Sequence, residues 1–316
     1  MTTYFAPIAR LLGDLVVCLP PLQNLIETKQ NDDELCLVIR SAAQEGLAQR
    51  VPGLKSWIRE SDFLKLSLQT ESRVYNLREH PLQMDFVWGS PEFYQAYPGY
   101  GITEIIRDIC SDFGIRDAQE KLIALNTNKR SESKGKILLI PGTAGPIKRW
   151  PSRYWLEIFQ MLKNAGRETL MLGEPAKNTQ VKELIEAALP WIETPTVADA
   201  LDLITAADGV VAVDTGLMHL AVHQRIKTVA IFREYTMFLR PYEHVRYLIA
   251  PPCASQCRKD EFNFSPNSET YYADWDERKL FDYWQNLNCK LSESESCMSA
   301  LKSNQILEEL RKLGLL

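Results

Sequence analysis

The chain has 316 residues, 45% hydrophobic and 24% charged, the balance of a globular protein about twice the roughly 150-residue length of one domain, which excludes disordered, collagen-like and mucin-like chains. Its 36 Lys and Arg against 41 Asp and Glu leave a net charge of −5, so no global basic field exists to hold a polyanion and nucleic acid is disfavoured as principal partner. The most apolar N-terminal stretch, Leu11–Leu22, is broken by Asp14, Pro20 and Pro21, so neither a signal peptide nor a membrane span is expected, and seven cysteines in such a chain fit a reduced, cytosolic setting.

The N-terminal portion alternates strand and helix signals. Strands are expected at Tyr4–Ala9, with Pro7 inside the first, at Leu35–Ile39 and at Phe86–Trp88, with a helix following Asp14. Gly13 and Asp14 fall at the turn from the first strand to that helix. If two αβ domains face each other, Asp14 points into the cleft, where a carboxylate can take a proton as general base; the plainer reading is a helix N-cap. The polar stretch Asn126–Gly135 reads as an interdomain linker, which gives domains over 1–130 and 131–316.

The second half is more regular. The run ILLIPG, beginning after Lys136, is a buried strand ending in a glycine turn, and TLMLG, Thr169–Gly173, is another. Between them Trp155, Ile158, Phe159 and Leu162 share one face of a helix started by Pro151 and stopped near Gly166. A helix from Thr196, whose hydroxyl and Asp199 resemble a capping box, then the strand GVVAV, a short helix from Leu217 and the strand TVAIF complete the pattern. Such alternation implies a parallel sheet with helices on both faces.

Three places carry chemistry. The loop PGTAGPIKRWP, Pro141–Pro151, puts backbone N–H groups, the Thr143 hydroxyl and Lys148 at a helix N-terminus, an anion site that is neither a Walker loop nor a GxGxxG fingerprint; the alternative is a plain loop with a solvated Lys148 and a packing Trp150. In VDTGLMHLA, Thr215, Gly216 and the free N–H groups of a helix start suit a diphosphate, while Asp214 repels one unless it orients the turn or caps it. His219, on the first helical turn, is either a phosphate donor or a satisfied core histidine. Glu174, at the carboxyl end of the second strand, is either a ribose acceptor or an exposed loop acid.

Two further strings are weaker. Asp274, Trp275 and Asp276 spell the DxD of metal-dependent transferases but precede the amphipathic ERKLFDYWQNL and read as its cap, so metal is not expected there. Cys253 with Cys257 and Cys289 with Cys297 offer four thiolates for a structural zinc, although neither spacing matches the usual knuckle and pairing or free thiols are the alternatives, while Cys18, Cys36 and Cys110 read as buried small hydrophobes.

The segments GDLVVCLPPL, PGTAGPIKRWP, LGE at Gly173 with Glu174, DTGLMHLA and the CM at Cys297 before a terminal helix, in this order, resemble glycosyltransferase family 9, the ADP-heptose:lipopolysaccharide heptosyltransferases. The resemblance implies the GT-B architecture, two facing Rossmann-like α/β domains with parallel sheets and a C-terminal helix. It implies Asp14 as catalytic base, Lys148 on the donor diphosphate, Glu174 beside the ribose, and Thr143, Asp214, Thr215, Gly216 and His219 lining the donor site. The implied reaction is a metal-independent, cofactor-free inverting transfer from an ADP-heptose-like nucleotide sugar to a lipopolysaccharide core or other envelope glycan. It would take place in the cytoplasm, with peripheral contact at the inner membrane left open. The alternative is a nucleotide-sugar-binding partner that has lost turnover. On the acceptor side the chain departs from the family at Pro7 and across Glu71–Pro98.

Overall fold

The computed structural model describes all residues except 31–32, 67–71, 86–90, 116–121, 144, 234–236 and 253–288. These residues form two compact units, one of 1–126 with a return at Met237–Arg240, the other of 127–233, 241–252 and 289–316.

The first unit is built on four parallel strands, β1 (Thr2–Ala6), β2 (Glu34–Ile39), β3 (Ser56–Arg59) and β4 (Arg73–Asn76), in the order β3-β2-β1-β4. In β2 every residue from Leu35 to Ile39 is buried, the near-continuous apolar run that a parallel strand covered on both faces requires. The first strand stops at Ala6, short of the expected Ala9. Pro7 lies outside the ladder, as a residue with no N–H to donate must. The expected strand at Phe86–Trp88 lies outside the described residues. β3 and β4 were not expected, because SWIR and RVYN are four residues each and show neither alternation nor an apolar run.

Two helices follow β1. Leu12–Val17 ends at Cys18, and Leu19–Thr28 restarts there with Pro20 and Pro21 in its first turn, where a missing N–H breaks no intrahelical bond. Asp14 is therefore inside the first helix, at its third position, and not at its N-cap. The Met237–Arg240 return is tied in by the Ile102 N–H, which donates to the Met237 carbonyl at 2.7 Å.

The second unit holds six parallel strands, β5 (Ile137–Ile140), β6 (Thr169–Gly173), β7 (Trp191–Glu193), β8 (Gly209–Val213), β9 (Lys227–Phe232) and β10 (Val245–Ile249), in the order β10-β9-β8-β5-β6-β7. The chain runs outward from β5 through β6 and β7, then restarts at β8 on the other side of β5. The switch point thus falls between β5 and β8, the place where open α/β sheets receive ligands. The helix Ser152–Asn164 buries Tyr154, Trp155, Ile158 and Leu162 and ends ahead of Gly166, whose φ of 72° suits only a residue without a Cβ penalty. The Thr196 hydroxyl accepts from the Asp199 N–H and so caps Val197–Ile204.

The polar stretch after Asn126 is fastened to the second unit and is not a loose tether. The Asn128 N–H donates to Asp202 Oδ1 at 2.8 Å, and the buried Ser133 hydroxyl donates to the Leu203 carbonyl at 2.7 Å. The C-terminal helix Ser303–Lys312 closes this unit by burying Ile306, Leu307 and Leu310 in the cluster that holds Trp150 and Trp155. Trp150 is wholly buried, stacks on Tyr154 at 5.5 Å, and donates its indole N–H to the Leu301 carbonyl. No helix among the described residues is long and apolar enough to cross a membrane.

Because Trp150 joins the loop ahead of Ser152 to the chain ahead of the C-terminal helix, Trp150→Ala removes a large packed side chain and leaves the Leu301 carbonyl without its donor. The expected loss is about 3–5 kcal/mol from the second unit. It should appear as a lowered guanidinium midpoint for that unit's transition, and an unmoved midpoint would contradict this role.

Candidate active site

The loops leaving β5 and β8 flank the switch point, and the Lys148–Asp214 pair joins them. Lys148 ends a short turn, Pro146–Lys148, and its Nζ lies 2.7 Å from Asp214 Oδ2. His219 Nε2 approaches the other carboxylate oxygen, Oδ1, at 3.4 Å. Two side chains, Lys148 and His219, thus share one carboxylate, and Asp214 and His219 are buried while Lys148 keeps 21% of its side-chain surface.

Further bonds hold the same loops. The Thr143 hydroxyl donates to the Asp214 carbonyl at 3.2 Å, and the Thr143 carbonyl accepts from Asn178 Nδ2 at 3.3 Å. Asn178 Oδ1 in turn accepts from the Val181 N–H and caps the helix Thr179–Glu186. One amide side chain therefore links the helix after β6 to the loop after β5. Thr215 stands in extended conformation before the helix Gly216–His223, and its hydroxyl makes no cap bond to that helix.

Burial works against a charge on Asp214, but the Lys148 ammonium and His219 more than offset it and hold the carboxyl well below the usual carboxylate range. A folded-state value below the unfolded one means that the pair contributes its full stability above the unfolded pKa of about 3.9. That contribution is lost only as the pH falls through the folded value. At neutral pH Asp214 is an anion, and its repulsion of a phosphate is offset by the Lys148 ammonium paired with it.

The other sequence candidates separate into two groups. Glu174 follows β6 directly, on the strand beside β5, and is partly exposed. Its carboxylate pairs with Lys177 at 2.6 Å, and its carbonyl accepts from the Lys177 and Asn178 N–H groups. Asp14 belongs to the first unit, half-buried at the third position of its helix, and accepts from the Leu11 N–H at 2.7 Å. The loop before it is held by Gln44, fully buried, whose amide donates to the Ala9 and Leu11 carbonyls at 2.9 and 3.2 Å while accepting from the Arg40 N–H.

Asn178 and Gln44 escaped the sequence reading. An asparagine just before a helical run is a legible N-cap signal, but its second bond reaches across 35 residues to Thr143, and nothing local encodes that. Cys18, Cys36 and Cys110 are buried, and burial pushes the Cys110 thiol up to about 12, which leaves it inert. Cys253, Cys257, Asp274 and Asp276 lie outside the described residues. Among the described residues no group of three His, Cys, Asp or Glu side chains gathers as metal ligands do.

The same loops fall within the span that a known family matches. The sequence model described as glycosyltransferase family 9 (heptosyltransferase) covers residues 107–263, a span that includes Thr143, Lys148, Glu174, Asp214 and His219. Lipopolysaccharide heptosyltransferase 1 of Pseudomonas aeruginosa PAO1 is 29% identical over 155 residues, 46% of this chain; the match spans 41% of the relative, less than half its length. The glycosyltransferase family 9 structure from Veillonella parvula superposes with a TM-score of 0.66 at 14% identity, covering 99% of this chain and 97% of that one. The iron-containing dodecameric glycosyltransferase TibC from enterotoxigenic Escherichia coli H10407 gives 0.62 at 14% identity, over 98% of this chain and 75% of that one, and has been solved with ADP-D-β-D-heptose. At such identities the structural likeness is one of fold, the GT-B class with two parallel α/β sheets. Combined with the sequence match across the switch-point loops, it leaves one conclusion: residues 107–263 carry the sequence pattern of glycosyltransferase family 9, on a chain whose fold is that of the family's solved structures.

Proposed function

We propose that the chain is an inverting, metal-independent glycosyltransferase that moves a heptose or similar sugar from an ADP-heptose-like nucleoside-diphosphate donor to a lipopolysaccharide core or other envelope glycan. The observation that carries this reading is the Lys148–Asp214–His219 constellation at the switch point of the second sheet. A buried carboxylate that orients a lysine ammonium beside a helix start prepares a cationic group for a diphosphate before the donor arrives.

In this mechanism Asp14 accepts the proton of an acceptor hydroxyl, and that oxygen forms a bond to the anomeric carbon. The bond from that carbon to the diphosphate oxygen breaks in the same displacement, so the centre inverts. The electron pair leaves with the nucleoside diphosphate, whose growing charge Lys148 and the Gly216–His223 N-terminus meet. Their interaction strengthens towards the transition state and therefore raises the rate. Thr143 and Thr215 supply hydroxyl donors, Gly216 permits close approach to the backbone, and Glu174 accepts from the ribose. The reading places the chain in the cytoplasm, at the inner face of the membrane that anchors a glycolipid acceptor. Iron in TibC is a property of that protein, and the transfer proposed here needs none.

Three outcomes follow. Asp14→Asn should cut kcat by roughly 10²- to 10⁴-fold while ADP affinity, measured by calorimetry, stays near wild type; near-normal turnover would remove Asp14 from the mechanism. Lys148→Ala should weaken ADP binding and lower kcat together, since the lysine meets a charge that grows as the leaving group departs. Unchanged ADP affinity in a folded variant would reduce Lys148 to a loop clasp. Transfer should survive EDTA; if chelation stops turnover without unfolding the chain, and a divalent ion restores it, the metal-free reading is wrong.

A further inference from the structure

The first unit leaves few large apolar side chains in water. Among the described residues they are Met1, at the amino end of β1, and Leu11, Leu64 and Leu66, which follow the carboxyl ends of β1 and β3. Leu64 is 74% exposed, Leu66 42% and Leu11 41%. A single leucine in water needs no explanation, but three at one end of a sheet do.

The chain after β3 holds two of them outward. Phe63 takes the inward place, with its ring 5.1 Å from that of Tyr4 on β1. The N–H groups of Leu64, Lys65 and Leu66 donate to the carbonyls of Glu60, Asp62 and Phe63 at 2.9, 3.1 and 3.0 Å, so the turn is fixed with Leu64 and Leu66 on its outer side. That turn is joined to the loop that carries Leu11, because Arg10 Nη2 stands 3.4 Å from Glu60 Oε2. The Leu11 N–H in turn donates to Asp14, and the exposed leucines therefore border the helix start that holds the proposed base.

The charge around them differs from that of the whole chain. Between Lys55 and Leu66 the exposed charged residues are Lys55, Arg59 and Lys65 against Asp62, in a chain whose net charge is −5. Glu60, in the same stretch, is turned to Arg10, Arg40 and Arg78. Arg59 pairs with Glu45 at 2.5 Å and Lys65 with Asp62 at 3.1 Å, but exposed pairs of this kind are weak and exchange for other anions at little cost. Leucines interleaved with lysine and arginine suit the boundary of a bilayer. The leucines enter the acyl region while the long cationic stems reach back to headgroup phosphates.

We propose that Leu11, Leu64 and Leu66, with Lys55, Arg59 and Lys65, seat the first unit on an anionic phospholipid surface. That this surface is the membrane holding the glycolipid acceptor rests on the transferase reading; the binding of lipid does not.

Vesicle sedimentation of the full chain tests this without donor, acceptor or turnover, so its outcome is independent of the proposed reaction. Wild type should sediment with vesicles of phosphatidylglycerol and phosphatidylcholine, bind phosphatidylcholine alone about tenfold less, and lose binding as sodium chloride rises. Leu64→Ser combined with Leu66→Ser should lower the partition coefficient on anionic vesicles by about tenfold or more, the order set by withdrawing two leucines from an apolar boundary. Lys55→Gln combined with Lys65→Gln should lower it by about tenfold on anionic vesicles and leave zwitterionic ones unchanged. Unfolding midpoints near wild type establish that the variants fold; if the leucine pair does not, Leu64→Ser alone decides, with an expected fall of about threefold. No binding by wild type, or undiminished binding by the leucine variant, would overturn the proposal. So would a wild-type dimer in sedimentation equilibrium without lipid that the leucine variant abolishes, since a second copy would then cover the leucines.

Discussion

The ion pair between Lys148 and Asp214 is the interaction on which the second unit's chemistry depends. It bridges 66 residues of sequence and joins the two loops at which the strand order reverses. A carboxylate placed there alone would repel a phosphate and bear the full cost of burial; a lysine there alone would swing on its four-carbon stem. Together they fix the ammonium in one place and leave a site near neutrality until a ligand draws on the lysine. Removing either partner leaves an uncompensated charge, and for that reason such pairs are more costly to break than to replace outright.

That pair works only because the backbone around it is held. Thr143 ties the β5 loop to the backbone of Asp214, and Asn178 ties it to the helix after β6. Gly173 permits the second connection, since a Cβ there would come within 2.8 Å of the Val181 side chain in the helix that Asn178 caps. Three neighbouring strand ends thus become one rigid platform, the condition for a site whose electrostatics must be in place before the substrate arrives.

The two sheets use their carboxyl edges differently. The second matches one lysine and one histidine to one aspartate. The first sets three arginines against Glu60, with Asp14 close enough to act on Arg40. One edge pairs a lysine and a histidine with a single buried carboxylate, whereas the other gathers three guanidiniums around Glu60.

Much of the second unit was legible in the sequence. The strands at Thr169–Gly173 and Gly209–Val213 fall where their apolar runs place them, and Gly166 and Thr196 punctuate their helices by local chemistry, because burial on both faces and capping leave marks within a few residues. The residue types at Lys148, Asp214, Glu174 and His219 were legible too, since each lies next to a strand end or helix start. In the first unit β3 and β4 were not legible, because strands of four residues gain their identity from their neighbours in the sheet. Nor could sequence reveal that Lys148 and His219 share Asp214, that Gln44 holds the turn before Asp14, or that Arg10, Arg40 and Arg78 meet at Glu60. Local composition determines which groups stand at strand ends; which of them come within 3 or 4 Å of one another depends on strand order and on how each loop folds back, and only the tertiary structure decides that.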